Sequence, residues 1–145
     1  MRTELVYLVQ TDTTAGFLSQ SKERLAEAKG RPLDRPFLKA VSRLSMLEEC
    51  GRVPKAFRKS VRRSRKRSFI LPNGNSFRYI RGKHREFVKK FGWCYSTSAN
   101  RHGEPFDEEY ARDACDVVVE SKEGFHEAKA SEIWRLGREK RVKIR

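Results

Sequence analysis

Hydrophobic positions along this chain come in short runs that change period repeatedly. "ELVYLV" at 4 to 9 is a nearly continuous apolar run and reads as a buried strand. "QSKERLAEAKG" then puts Leu25 and Ala28 at helical spacing, with Gly30 as a stop. Prolines break "RPLDRPFLKAV" twice, and after Pro36 the residues Phe37, Leu38 and Val41 suit a short strand. Ser42 or Ser45 is placed to cap a helix through Glu49, with Glu48 three residues after Ser45 as in a capping box. "VPKAFRKSVRRSRKR" has Pro54 at a first helical position and Phe57 and Val61 on one face, which predicts a cationic helix over 54 to 67. "SFIL", "PNGN" and "SFRYI" read as strand, tight turn, strand, with Asn73 and Gly74 supplying positive backbone angles.

The second half continues the alternation. Phe87, Val88 and Phe91 form a helical stripe ended by Gly92, and "WCYST" is the next strand. Asp107 can cap a helix with Tyr110, Ala111 and Ala114 inward, followed by the β-branched "DVVVE" and two short β candidates, "SEIWRL" and "RVKIR". Interleaved helices and strands define an α/β class with a mixed twisted sheet. A length of 145 residues predicts one domain, 1–145.

Charge narrows the partners. The formal net charge is +14, and from Cys50 through Arg85 there is no acid while thirteen residues are Lys or Arg. From Glu104 to Glu132 the balance reverses, with ten acids against Arg112, Lys122 and Lys129. Like charges crowded together are most easily tolerated when a polyanion neutralises them, and release of its counterions then drives binding. A phosphate-bearing partner is expected; charge alone leaves RNA, DNA and nucleotide open. No apolar run approaches the ~18 residues of a membrane span, so no membrane partner is expected. Cys50, Cys94 and Cys115 are odd in number and far apart, which predicts neither a disulfide framework nor a zinc site and fits a reducing cytoplasm. His84, His102 and His126 are equally scattered, and no metal site is expected.

The chemistry concentrates in two segments. A strand ending in Ser96-Thr97-Ser98-Ala99-Asn100 presents short hydroxyls and an amide with little bulk, a surface suited to phosphate oxygens. Lys29 and Arg31 lie two apart, so in an extended segment both would point to one side and clamp an anion. Phe87, Phe91, Trp93 and Tyr95 follow the periodicity of their elements and read as core rather than as a base-stacking platform. Cys94 has no histidine placed by sequence to activate it.

Taken in order, "TDTTAGFLS", "KGRPLDRPFL", "SFILPN", "SFRYI", "STSANRHGEP" and "ASEIWRL" resemble the YrdC-like family of threonylcarbamoyl-adenylate synthases over nearly the whole chain. The resemblance implies a YrdC-like open twisted mixed sheet with flanking helices and a concave basic surface able to bind RNA as well as nucleotide. It implies a nucleotidyltransferase that makes threonylcarbamoyl-AMP from L-threonine, bicarbonate and ATP, with Mg²⁺ accompanying ATP. The product would serve tRNA threonylcarbamoyladenosine modification, with tRNA-modification proteins as partners. Carried over by position, Lys29 and Arg31 would be catalytic and bind ATP with Ser96, Ser98 and Asn100, while Thr13, Arg78 and Ser131 would hold threonine. The cations Arg58, Arg62, Arg63, Arg65, Lys66 and Arg67 would bind RNA. The alternative is a non-catalytic relative that binds double-stranded RNA or tRNA. The sequence departs from the family pattern at Ala15, where a tyrosine is usual, and at "RSRKR", 63 to 67, which replaces a Pro-Gly-Pro stretch and is followed by Ser68 in place of threonine. It also lacks the proline after Arg78 and has His102 where a serine usually follows.

Overall fold

The computed structural model describes residues 2–145 and forms two compact units, each assembled from two separate pieces of chain. The first comprises the chain up to Phe37 together with Cys94–Ala130; the second comprises Leu38–Trp93 and Ser131–Arg145.

In the first unit, β1 (Tyr7–Gln10) and β2 (Ala15–Ser19) form an antiparallel hairpin, pairing Tyr7 with Leu18. β6 (Trp93–Ser98), almost all of which lies in this unit, runs antiparallel to β2 with Thr97 opposite Phe17. The two-residue β7 (Val117–Val118) runs parallel to β1 on its other side. β1 starts later than the apolar run predicts. Glu4 and Leu5 precede the ladder, and Val6 is held instead by its N–H, which donates to the Asp116 carboxylate at 2.8 Å. Helix α1 (Lys22–Lys29) is capped by Ser21 and helix α4 (Glu108–Ala114) by the expected Asp107, each side chain accepting a first-turn N–H. Val6, Leu8, Phe17, Leu25 and Ala111 are among the buried core, and Tyr110 meets Phe17 edge-on at 6.3 Å.

The second unit carries strands in the order β3 (Leu38–Val41), β5 (Ser76–Tyr79), β4 (Arg67–Ile70), β8 (Glu132–Leu136) and β9 (Arg141–Lys143). The β3–β5 and β4–β8 pairs are parallel, while β4–β5 and β8–β9 are antiparallel. Both units are therefore mixed in strand direction, as the α/β reading requires. Phe69 and Phe77 are cross-strand partners that stack at 5.5 Å, over a core with Val41, Val61, Leu71 and Leu136. Helices α2 (Arg58–Arg63) and α3 (Arg85–Phe91) belong to this unit, α3 ending at Gly92 as expected.

Four local expectations are corrected. Lys29 is the last residue of α1 and Gly30 turns left-handed (φ 70°), its N–H bonding to Ala26 and Glu27, so Lys29 and Arg31 do not share an extended segment. Residues Leu44–Cys50 form 3-10 turns instead of a capped α-helix. The hydroxyl of Ser42 donates to Gly92 O, and Glu48 at φ 43° interrupts the helical path. The cationic helix ends at Arg63, where Ser64 turns extended and its hydroxyl bonds back to Val61 O; Arg65 and Lys66 follow in a connection, Lys66 at φ 55°. The hairpin turn has three residues between Leu71 and Asn75, with positive φ at Gly74 alone; Asn73 acts through its side chain, which accepts from Asn75 N.

Candidate anion sites in the two units

The first site grows out of the end of α1. Gly30 reverses the chain, and Tyr110 of α4 donates its hydroxyl to the carbonyl of Ala28, satisfying a last-turn group that the helix leaves open. Lys29 is thereby fixed with only 4% of its surface exposed. Its ammonium donates to Ser98 O at 2.8 Å, Ser98 Oγ at 3.0 Å and Asn100 Oδ1 at 2.9 Å, which uses all three of its protons. Every acceptor is neutral. Burial, and next the charge of Arg31, bring the Lys29 pKa down to about 8. Asn100 holds its orientation by donating to Arg101 O and Glu104 O at 2.9 and 2.6 Å, which also fixes the loop after the Ser-Thr-Ser-Ala-Asn run.

Arg31 is anchored differently. One terminal nitrogen donates to Pro36 O at 2.9 Å and the guanidinium lies 4.0 Å from the Phe37 ring centre, while its buried Nε–H has no acceptor among the described residues. Burial, with Arg35 nearby, lowers its pKa. A buried donor lacking a partner is uncommon in a folded protein and is a place where an incoming oxygen gains a full hydrogen bond. Ser96 sits two residues before Ser98 on β6, level with Leu18 of β2. Thr13 is buried in the β1–β2 turn, where Thr11 Oγ1 acts as a hub: it donates to Thr14 O at 2.6 Å and accepts from the N–H groups of Thr13 and Thr14. Ala15, the position of a family tyrosine, is fully buried in β2, and its carbonyl accepts from Ala99 N. Beside Lys29 opens a cavity of about 550 Å³ lined by Arg24, Glu27, Arg101, His102 and Tyr110 among others. Its mixed charges are partly tied internally, Arg24 to Asp116 at 2.9 Å and Arg101 to Glu104 at 3.8 Å.

The remaining predicted threonine contacts lie in the second unit. Arg78 follows Phe77 on β5 and is 8% exposed; Ser131, also 8% exposed, precedes β8. The hydroxyl of Ser131 lies 3.3 Å from that of Ser68 on β4, and Arg145 donates to Ser131 O at 3.1 Å. Ser68 thus joins the cluster from the family's threonine position. Arg145 was not identified from sequence, because only the antiparallel β8–β9 register returns the chain to Ser131. Thr11 was missed too, although its spacing to Thr14 is a hydroxyl-turn signature.

The basic set divides. Arg58 opens α2 and Arg62 and Arg63 close it, while Arg67 begins β4, pairing with Glu132 at 3.2 Å. Cys94 is buried, and burial pushes its thiol up to about 12, far from a nucleophile's range. No helix among the described residues is long and apolar enough to cross a membrane.

The class this architecture defines is the YrdC-like fold. Among solved structures, P. abyssi Sua5 complexed with L-threonine superposes with a TM-score of 0.79 at 17% identity, covering 97% of this chain and 50% of that one. E. coli YciO gives 0.74 at 18% identity over 98% of this chain and 82% of its own, and full-length HypF in its phosphate- and nucleotide-bound form gives 0.76 at 13% over 97% and 26%. The chain spans about half the length of the Sua5 structure it matches. No protein-family model and no curated protein matches the sequence.

Proposed function

We propose that this chain is a threonylcarbamoyl-AMP synthase, joining L-threonine, bicarbonate and ATP with release of pyrophosphate for tRNA threonylcarbamoyladenosine modification. The observation that carries the reading is the meeting of Lys29 with Ser98 and Asn100. A fold shared with a threonine complex of Sua5 and a nucleotide-bound HypF adds support. In this reading Lys29 leaves its neutral acceptors for the phosphates of ATP, a stronger partner for a desolvated ammonium. Ser98 Oγ and Asn100 are released to bind the nucleotide, with Ser96 beside them. Arg31 supplies its unpartnered Nε–H to a second oxygen. Attack on the α-phosphate requires positioning and charge neutralisation more than proton abstraction, which matches a site of cations and hydroxyls. Mg²⁺ accompanying ATP would supply further neutralisation of the phosphate charge. No group of three or more His, Cys, Asp or Glu among the described residues is arranged to hold a metal. The threonine roles that the resemblance implies for Thr13, Arg78 and Ser131 remain part of this proposal, and within the second unit Ser68 and Arg145 orient Ser131.

A second reading, a non-catalytic protein that binds tRNA or double-stranded RNA, draws on the charge of the second unit. That unit has 23 Lys and Arg against 5 Asp and Glu, a formal +18. The readings separate by mutation. Lys29→Ala with Arg31→Ala abolishes threonine-dependent pyrophosphate release while sparing most RNA binding; neutralising Arg62, Arg63, Arg65, Lys66 and Arg67 does the reverse. A wild-type protein that releases no pyrophosphate with threonine and bicarbonate present overturns the synthase.

A further inference from the structure

We infer that the second unit contains a built phosphodiester-binding pocket for RNA, made by Arg52, Arg58 and Arg62; this rests on the RNA-binding reading and gives it a location. A cavity of about 640 Å³ opens between the 3-10 segment Leu44–Cys50 and α2. Leu44, Leu47 and Val53 supply apolar lining, and the three arginines line the same space. Arg58 and Arg62 are four apart on α2 and so share a face. Arg52, a residue outside the basic run of the helix, faces them from the preceding loop.

What sets these arginines apart is that they line one cavity, and no carboxylate neutralises them there. Among the described residues none of the three has a carboxylate within ion-pair distance, although Glu48 also lines the cavity. Arg58 donates Nε–H to Val53 O at 3.2 Å, which orients its guanidinium and leaves both terminal nitrogens for an anion. Arg67, by contrast, is occupied by Glu132.

The wall opposite the helix is rigidly made. Asn73 and Asn75 both donate to Cys50 O, at 2.8 and 2.9 Å, clamping the hairpin turn onto the corner at Gly51. Gly51 has φ 138°, and a Cβ there would come within 2.8 Å of Asn73 Nδ2 and 2.9 Å of Leu71 Cδ1. The "PNGN" turn thus holds one side of the pocket in place. Planar guanidinium forks match phosphate oxygens in bidentate fashion, and an apolar floor of this size accepts the attached ribose or base.

The test compares charge inside and outside the pocket at equal loss. Binding of a fluorescently labelled tRNA is measured for the full chain, for Arg52→Gln/Arg58→Gln/Arg62→Gln, and for Arg63→Gln/Arg65→Gln/Lys66→Gln. The pocket triple is expected to weaken binding at least about tenfold more than the control triple. Equal losses would overturn the pocket and leave the RNA reading standing, whereas a wild type that binds no RNA at low salt overturns both. Arg52→Gln alone, at an exposed residue with no hydrogen bond to maintain, guards against misfolding: it lowers affinity about threefold to tenfold with an unchanged melting temperature. An Arg52→Gln protein that binds RNA as the wild type does, or a wild type that binds polyglutamate of equal charge as tightly as RNA, contradicts the assignment.

Discussion

The two units handle positive charge in opposite ways. The first has 10 Lys and Arg against 14 Asp and Glu, a formal −4, and its arginines are largely paired: Arg2 with Glu4, Arg24 with Asp116, Arg112 with Glu108 and Glu120. Its distinctive cation, Lys29, is buried on neutral oxygens. The second unit, at +18, has Arg67 and Lys143 sharing Glu132 and, among the described residues, leaves Arg52, Arg58 and Arg62 without carboxylates in ion-pair range. A buried, depressed lysine amid hydroxyls suits one small anion held in fixed geometry. A field of exposed, unmatched cations suits a long polyanion and depends on salt. The +14 of the whole chain conceals this division.

The comparison breaks most visibly with salt. RNA affinity should fall about a thousandfold between roughly 50 and 200 mM salt if some six phosphates are contacted. ATP affinity, governed by buried contacts, should change far less; fluorescence anisotropy and calorimetry across the same series check both. A shallow RNA slope would remove the distinction. Next in size, Lys29→Ala should cost about a hundredfold in ATP affinity, in line with loss of a charge-assisted contact. The pH dependence sharpens this. Because Lys29 titrates near 8 in the fold, ATP affinity should decline as pH rises through about 8 in the wild type and stay flat in Lys29→Arg. Stability moves the other way: between about pH 8 and the ordinary lysine range the unfolded chain holds the extra proton, so Lys29 makes the protein more stable as pH rises through that window. Thermal melts of the wild type against Lys29→Met would reveal it.

Smaller effects test the scaffold of each unit. Gly51→Ala should destabilise the protein by about 1–3 kcal/mol, from positive φ and the clash with Asn73 and Leu71, and weaken RNA binding without altering ATP binding. Asp107→Ala removes the cap that accepts from Glu109 and Tyr110 and should cost about 1 kcal/mol in denaturant melts. A loss of RNA binding in that variant at temperatures where it is folded would argue against separate sites.

What the sequence made legible were features with local causes. The Gly30 stop of α1, the Asp107 cap of α4, the Gly92 stop, the β4–β5 hairpin and the β-branched β7 all stand where local chemistry put them. The elements that depart from their local signals do so through tertiary competition. The Ser42 hydroxyl is bound to Gly92 O and does not cap, and the basic run after Arg63 leaves the helix through a connection at Arg65 and Lys66, with only Arg67 entering a strand, beside Glu132. At the anion site the residue types were readable, but the geometry was not. Lys29 and Arg31 were expected to act as a pair from one extended segment, whereas α1 ends between them; Lys29 instead turns to Ser98 and Asn100, some seventy residues away. Arg52 and Arg145 carry no signal in the sequence because their significance comes from what a loop and a strand register place beside them.

The most direct measurement of the central claim, that Lys29 with Ser98 and Asn100 forms a nucleotide site, is calorimetric titration of Mg²⁺-ATP into the wild-type protein and Lys29→Ala, followed by L-threonine. The account predicts saturable binding at one ATP per chain for the wild type, further heat on adding threonine, and neither signal in a folded Lys29→Ala. Identical ATP binding by both proteins, or none by the wild type, would contradict it.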